Sequence, residues 1–244
     1  MAQPLAISLL PATAIIAPGS GAEMDMGAVR GALLLDLRVT TFTPISDDPV
    51  PLVAVTLETR ADAAAPWRAA DVLEAGAAGT FELAAGGLER FVRVSWTLTN
   101  MTTATIDVTG VAHVTYCDPS DITDIAVPEH SIEEIPASKR AKACITATDV
   151  ADGFVGAAYT LPLTAWGEDL RQQCAYLAAA QLFSGRGFDS QGPDKNVDDN
   201  RDSALKWLDR LANGRLSPPG MIDSTPEEFD GGSFVVSARP LRGW

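Results

Sequence analysis

Two histidines and three cysteines are the only ready metal ligands or soft nucleophiles in this 244-residue chain besides its carboxylates. His113 falls on the polar side of an alternating run beside Thr115, and His130 stands alone, so both read as surface histidines rather than parts of a His-rich metal site. Cys117, Cys144 and Cys174 lie far apart in sequence, form no CxxC pair and are odd in number. That pattern suggests neither zinc binding nor a disulfide framework, and reads as three reduced, buried thiols. The acidic segment holding Asp189, Asp194, Asp198, Asp199 and Asp202 lacks the alternating ligands, central Gly and terminal Glu of a calcium loop. It reads as a solvated loop, with Asp198 or Asp199 favouring the positive N-terminal end of a helix. No GxSxG, HExxH or GxxxxGK[ST] occurs, so the commonest nucleophile-elbow, zincin and P-loop arrangements are absent. No catalytic, cofactor-binding or metal-binding residue is assigned, and the chain is not expected to be an enzyme.

Composition narrows the class further. The formal charge is −14, shared by both halves, so the basic footprint of a nucleic-acid binder is missing. Hydrophobic residues make up 46% and charged residues 20%, a globular balance with enough apolar side chain for a real core. The opening MAQPLAISLLPATAIIAPG imitates a signal peptide, but no Lys or Arg precedes Arg30, and Pro4, Pro11 and Pro18 interrupt it. No stretch approaches the roughly 20 apolar residues of a membrane span. A soluble protein made in a cytoplasm, with no membrane partner, is the expectation.

The elements that must position any site change character near residue 117. From Gly31 to Tyr116 the apolar residues alternate: Leu33, Leu35, Leu37 and Val39; Val53, Val55 and Leu57; Val92, Val94, Trp96 and Leu98; Ile106, Val108, Ala112 and Val114. Such runs, separated by turn formers around Asp47 and Gly86, predict an antiparallel β-sandwich or jelly roll over residues 1–116. After Asp118 the spacing becomes three and four. Ser131 and Glu134 are spaced as a capping box, and a helix is predicted from about Ala137 to Tyr159, ending before Pro162. A second helix is predicted from Thr164 as N-cap to the Gly185 and Gly187 pair, and a third from about Val197 to Ala212, stopped by Asn213 and Gly214. Trp96, Trp166 and Trp207 are in phase with these buried faces, whereas Trp67 and Trp244 are not. The predicted fold is therefore α+β, with two domains. A sandwich (1–116) precedes a small helical bundle (117–217), and an extended arm (218–244) follows.

The order of several short motifs carries a resemblance. YCDPSDI from Tyr116, a long helix ending in AxY-x-LPL, YTLPLTAWGEDLRQ (159–172) and QGPDKNVDDNRDSALKWLDRLANGRLSPPG (191–220) follow one another. As a set, over roughly residues 116–222, they resemble the head-to-tail adaptor, or head completion, family of tailed phages. The preceding 115 residues depart from the compact members of that family. The resemblance implies a virion protein of the neck, assembled in the host cytoplasm. It would form a ring of usually twelve copies under the portal protein, touch tail or tail-terminator proteins, and extend a channel through which genomic DNA passes without tight binding. It implies no cofactor and no catalytic residue.

Two readings of binding residues accompany it. In the arm, Phe234, Val235 and Val236 follow a Gly pair, and Arg239, Arg242 and Trp244 concentrate two cations and an indole at one end of an acidic chain. They form a candidate docking segment that could add a strand to a neighbour's sheet edge. The alternative is a glycan- or surface-binding β module on the neck, for which Trp67 beside Pro66 is the supporting residue.

Overall fold

The computed structural model describes residues 5–26, 31–46, 49–184 and 195–223. Its first half is built from β1 (Leu5–Ile15), β2 (Gly19–Ser20), β3 (Met24–Asp25), β4 (Gly31–Pro44), β5 (Leu52–Arg60), β6 (Arg68–Ala75), β7 (Gly79–Ala85), β8 (Phe91–Thr99) and β9 (Met101–Val114). One sheet has the order β1-β9-β4-β7 and the other β2-β8-β5-β6, with β3 also on β8. All these pairings are antiparallel. Leu33, Leu35, Leu37, Val53, Val55, Leu57, Val92, Val94, Ile106 and Val108 are fully buried within one apolar cluster. They are the alternating residues of the sequence, which the period of two sends to one face of each strand.

The first strand escapes that pattern. β1 pairs with β9 through register shifts on either side of Leu10, and it contains Pro11. A proline cannot donate to a ladder and is tolerated at a sheet edge or bulge. β1 is such an edge, and its irregular register hides the alternation of its buried residues Ile7, Leu9 and Ile15.

The second half contains a short helical turn, α1 (Pro119–Asp121), running on as a π-helical turn (Ile122–Ala126). Three long helices follow, α2 (Ala137–Val155), α3 (Glu168–Ser184) and α4 (Lys195–Ala212). The mixed α+β class and the three main helices agree with the sequence, but four local details do not. The capping box belongs to Asp118 and Asp121 at the start of α1. Ser131 instead ends a 3-10 turn, and α2 begins only after Pro136, where the Arg140 guanidinium donates to the carbonyls of Ile132, Glu133 and Ile135. A guanidinium thus ties down the approach that a side-chain cap was expected to fix. α2 stops at Val155 rather than Tyr159, with Gly156 to Tyr159 forming looser turns.

Thr164 is not an N-cap. It lies in β10 (Leu163–Ala165), which pairs with β11 (Ile222–Asp223), and its hydroxyl donates to Ile222 O at 3.2 Å. The beginning of the arm is therefore packed on the bundle rather than extended away from it. Pro218 is buried, and a Cβ on Gly167 would meet Pro219 O at 2.5 Å, so this crossing requires glycine. Gly214 stops α4 as expected, at φ +66°, with Gly214 N–H donating to Leu211 O and Arg215 N–H to Arg210 O.

Candidate functional site

The sandwich and the bundle share a face. On the outer side of the first sheet, β4, β7 and β9 bring together Ala32 beside His113, and Leu34 between Val111 and Ala84. Ala32 and Ala84 are as buried as the core, because α2 lies over them. An antiparallel sheet commonly leaves one face to water, and here small side chains let a helix cover part of it. Ala141 of α2 is fully buried, Lys142 pairs with Glu82 of β7, and a Cβ on Gly86 would meet Pro119 Cδ at 2.7 Å. His113, read from sequence as a surface residue, is half-buried in this joint. Burial lowers its pKa from the ordinary histidine value, and Asp149 of α2 opposes the shift.

Immediately after β9 the chain enters a core that contains polar groups. Tyr116, 2% exposed, donates its hydroxyl to Asp152 Oδ1 at 2.5 Å and its backbone N–H to Thr148 Oγ1 at 3.0 Å. Trp166 meets the Tyr116 ring edge-on at 5.1 Å and donates Nε1–H to Tyr116 O at 3.1 Å. Asp121, 1% exposed, pairs with Arg171.

The three cysteines, distant in sequence, are all in this cluster and free. The contact with Cys144, then burial, pushes the Cys117 thiol up, and burial does the same to Cys174. Cys117 and Cys174 are therefore held as protonated thiols, which are poor nucleophiles. Among the described residues no group of three His, Cys, Asp or Glu could hold a metal ion. No described helix is long and apolar enough to cross a membrane. Asp198 lies in the first turn of α4 and pairs with Arg201, and Asp199 pairs with Lys195. Asp189 and Asp194 lie outside the described residues.

Trp67 does not offer an open stacking platform. The guanidinium carbons of Arg60 and Arg93 lie 4.5 and 4.2 Å from its ring centroid, and Arg60 and Arg93 pair in turn with Glu23 and Glu58. The indole is part of a cation–π and ion-pair cluster that sequence reading missed, because its members come from β5, β8 and the loop before β6. The docking candidates Phe234, Val235, Val236, Arg239, Arg242 and Trp244 lie outside the described residues.

The bundle does present a concavity, of about 670 Å³, between the approach to α2 and the last turn of α3. Ile135 and Leu182 line it, with Glu133 and Glu134 on one rim and Lys139 on α2. Nothing in the sequence marks it, since the residues are ordinary and about 45 positions separate its two sides.

The described fold is similar to a chain of the SPBc2 prophage-derived protein YomS, at 14% identity and TM-score 0.27, over 45% of this chain and 93% of that one. It is also similar to a chain from Bacillus endospore appendages, a family of disulfide-linked pili, at 11% identity and TM-score 0.25, over 46% and 90%. Likeness at that level carries no functional argument. No curated protein matches. A family model of phage structural type, Bacteriophage Mu, Gp36, matches residues 114–236, from the last residue of β9 through all the long helices and into the arm. With half of its length matched in this way, the chain belongs to the Bacteriophage Mu, Gp36 family.

Proposed function

We propose that this protein is a structural component of the phage neck, a head-to-tail adaptor that forms a ring under the portal and extends the DNA channel toward the tail. The observation that carries the reading is the family match over residues 114–236. It coincides with the span where YCDPSDI, LPL and ALKWLDRLANGR stand in adaptor-like order. The buried polar groups support a structural role, because Tyr116, Asp152, Asp121 and Arg171 are spent on one another rather than aimed into a cleft.

In this reading the helical half makes the ring, usually of twelve copies. The arm, with Phe234, Val235, Val236, Arg239, Arg242 and Trp244, reaches the portal, and the tail or its terminator meets the opposite side. An acidic chain has few cations to hold duplex DNA, which lets the genome slide past. The sandwich, attached through α2, is carried on the outside of that ring.

Co-expression with the portal protein of the same phage tests the proposal. Co-purification, with a ring stacked on the portal in electron micrographs, is the expected result. A protein that stays apart from the portal at micromolar concentration, or that binds duplex DNA tightly at physiological salt, would overturn it.

A further inference from the structure

We propose that the concavity between α2 and α3 is the receptor for this chain's own C-terminal segment, residues 239–244, in the free subunit. The proposal rests on the docking role given above to that segment and names what holds it before assembly.

Chemistry and reach both fit. The segment reads Arg-Pro-Leu-Arg-Gly-Trp, two cations alternating with apolar side chains. The concavity sets Ile135 and Leu182 beside Glu133 and Glu134, both exposed, with Lys139 and Lys142 also in its lining and Lys142 paired with Glu82, and among the described residues no Lys or Arg bridges Glu133 or Glu134. Arg239 and Arg242 therefore have Glu133 and Glu134 as acidic partners within a lining that also holds two lysines, and Leu241 and Trp244 have an apolar floor. A volume of about 670 Å³ falls within the roughly 300–1,000 Å³ of small-molecule sites, room for the side chains of part of the segment.

β11 fixes where the segment starts from. Asp223 pairs with Leu163, just before the N-terminal end of α3, whereas Leu182 lies in that helix's last turn. The helix between them is ~21 Å long at 1.5 Å per residue. The connecting residues 224–238 can span ~50 Å when extended, so the chain reaches its own concavity with slack. Attachment through so short a connection gives an effective concentration of about a millimolar, which favours the subunit's own segment over a neighbour's. Docking to a portal would then compete with this internal site, and the arm would be released only where the portal binds it better.

The test uses the full-length protein without portal. Gln181, exposed on the rim, is replaced by the photoreactive p-benzoylphenylalanine, and retention of the fold is checked by far-UV circular dichroism. An equal mixture of heavy- and light-isotope copies is then irradiated and its crosslinked peptides identified. The expected product joins position 181 to a peptide within residues 233–244, both halves carrying the same isotope. The double variant Glu133→Lys/Glu134→Lys should lower its yield at least fivefold, and adding Arg239→Glu/Arg242→Glu should restore it. Crosslinks confined to residues before 224, mixed-isotope products, or a yield indifferent to both charge reversals would overturn the proposal. Because portal is absent, these outcomes are independent of the adaptor reading. A segment that crosslinks as expected in a protein that never joins a portal would sink that reading and leave this one standing.

Discussion

The two halves of the molecule solve the same packing problem by different means. In the sandwich, the buried cluster from Ile7 to Val108 is apolar with Thr59 as its buried polar neighbour, and the arginines stay at one corner in contact with Trp67, Phe91 and carboxylates. In the bundle, Tyr116, Asp121, Thr148, Asp152 and Gln173 are buried along with three thiols. An apolar core gains by area and tolerates any filling of the right shape, whereas hydrogen bonds and ion pairs accept only one arrangement. The half matched by the phage family is the one whose core fixes direction: Tyr116 is held by two residues of α2, and Arg171 of α3 is held to α1 through Asp121.

Cutting the chain would break this comparison with the largest effect. Residues 1–115 retain both sheets and the apolar cluster, so they should unfold cooperatively with a β-type circular dichroism spectrum. Without α2 they should also self-associate through the uncovered Ala32, Leu34, Ala84 and Val111 face. Residues 117–244 lose Tyr116 from the centre of their core and should melt without a sharp transition. If the helical piece is the cooperative one and the sandwich piece is disordered, the comparison has been drawn the wrong way round.

Single substitutions sharpen it. Leu57 is fully buried between the sheets, and Leu57→Ala should cost about 3 kcal/mol in denaturant melts, while Leu57→Met, which keeps the volume, should cost below about 1.5 kcal/mol. In the bundle a near-isosteric change should not be cheap. Tyr116→Phe removes one oxygen and no packing volume, yet takes the phenol's hydrogen bond from a buried carboxylate, at about 2 kcal/mol. A Tyr116→Phe protein as stable as the parent would show that the polar core contributes nothing beyond shape.

The sandwich was legible because its strands obey one rule over long stretches. β5 alternates strictly between half-buried and buried residues, and the sequence alternates with it. β1 was not, because a register shift on either side of Leu10 breaks the period just where Pro11 interrupts the ladder. The helical stripes were legible in α4, whose buried Val197, Ala204, Leu208 and Leu211 keep helical spacing. They were blurred in α2, where Ala141, Ala143, Ile145 and Ala147 are buried on more than one side because the helix touches the sheet as well as α3. That second contact explains most of what the sequence hid. An alternating strand shows which residues face inward, but nothing in β4 or β7 says that Ala32 and Ala84 on the outward face will also be covered. The concavity and the Arg60–Trp67–Arg93 cluster share this character, since each is assembled from ordinary residues far apart in the chain.

The smallest expected effect lies at the joint and concerns pH. His113 sits on β9 next to Ala32 of β4, beneath α2, and burial depresses its pKa while Asp149 partly restores it. A base whose folded pKa is below its unfolded value of about 6.5 binds protons more readily when unfolded. Stability therefore rises with pH through this window. The contribution is fully present above the unfolded value and is lost as pH falls toward the folded one. Melting temperature should decline between pH 7 and 5 more steeply in the parent than in His113→Gln, which keeps a polar side chain at the joint and cannot titrate. Asp149→Asn should steepen the decline, because it removes the only described carboxylate that favours the charged ring. If burial by α2 is the cause, the slope should vanish in the 1–115 piece, where His113 is free of the helix. The same slope in that fragment would place the desolvation within the sandwich and remove the pH dependence from the joint.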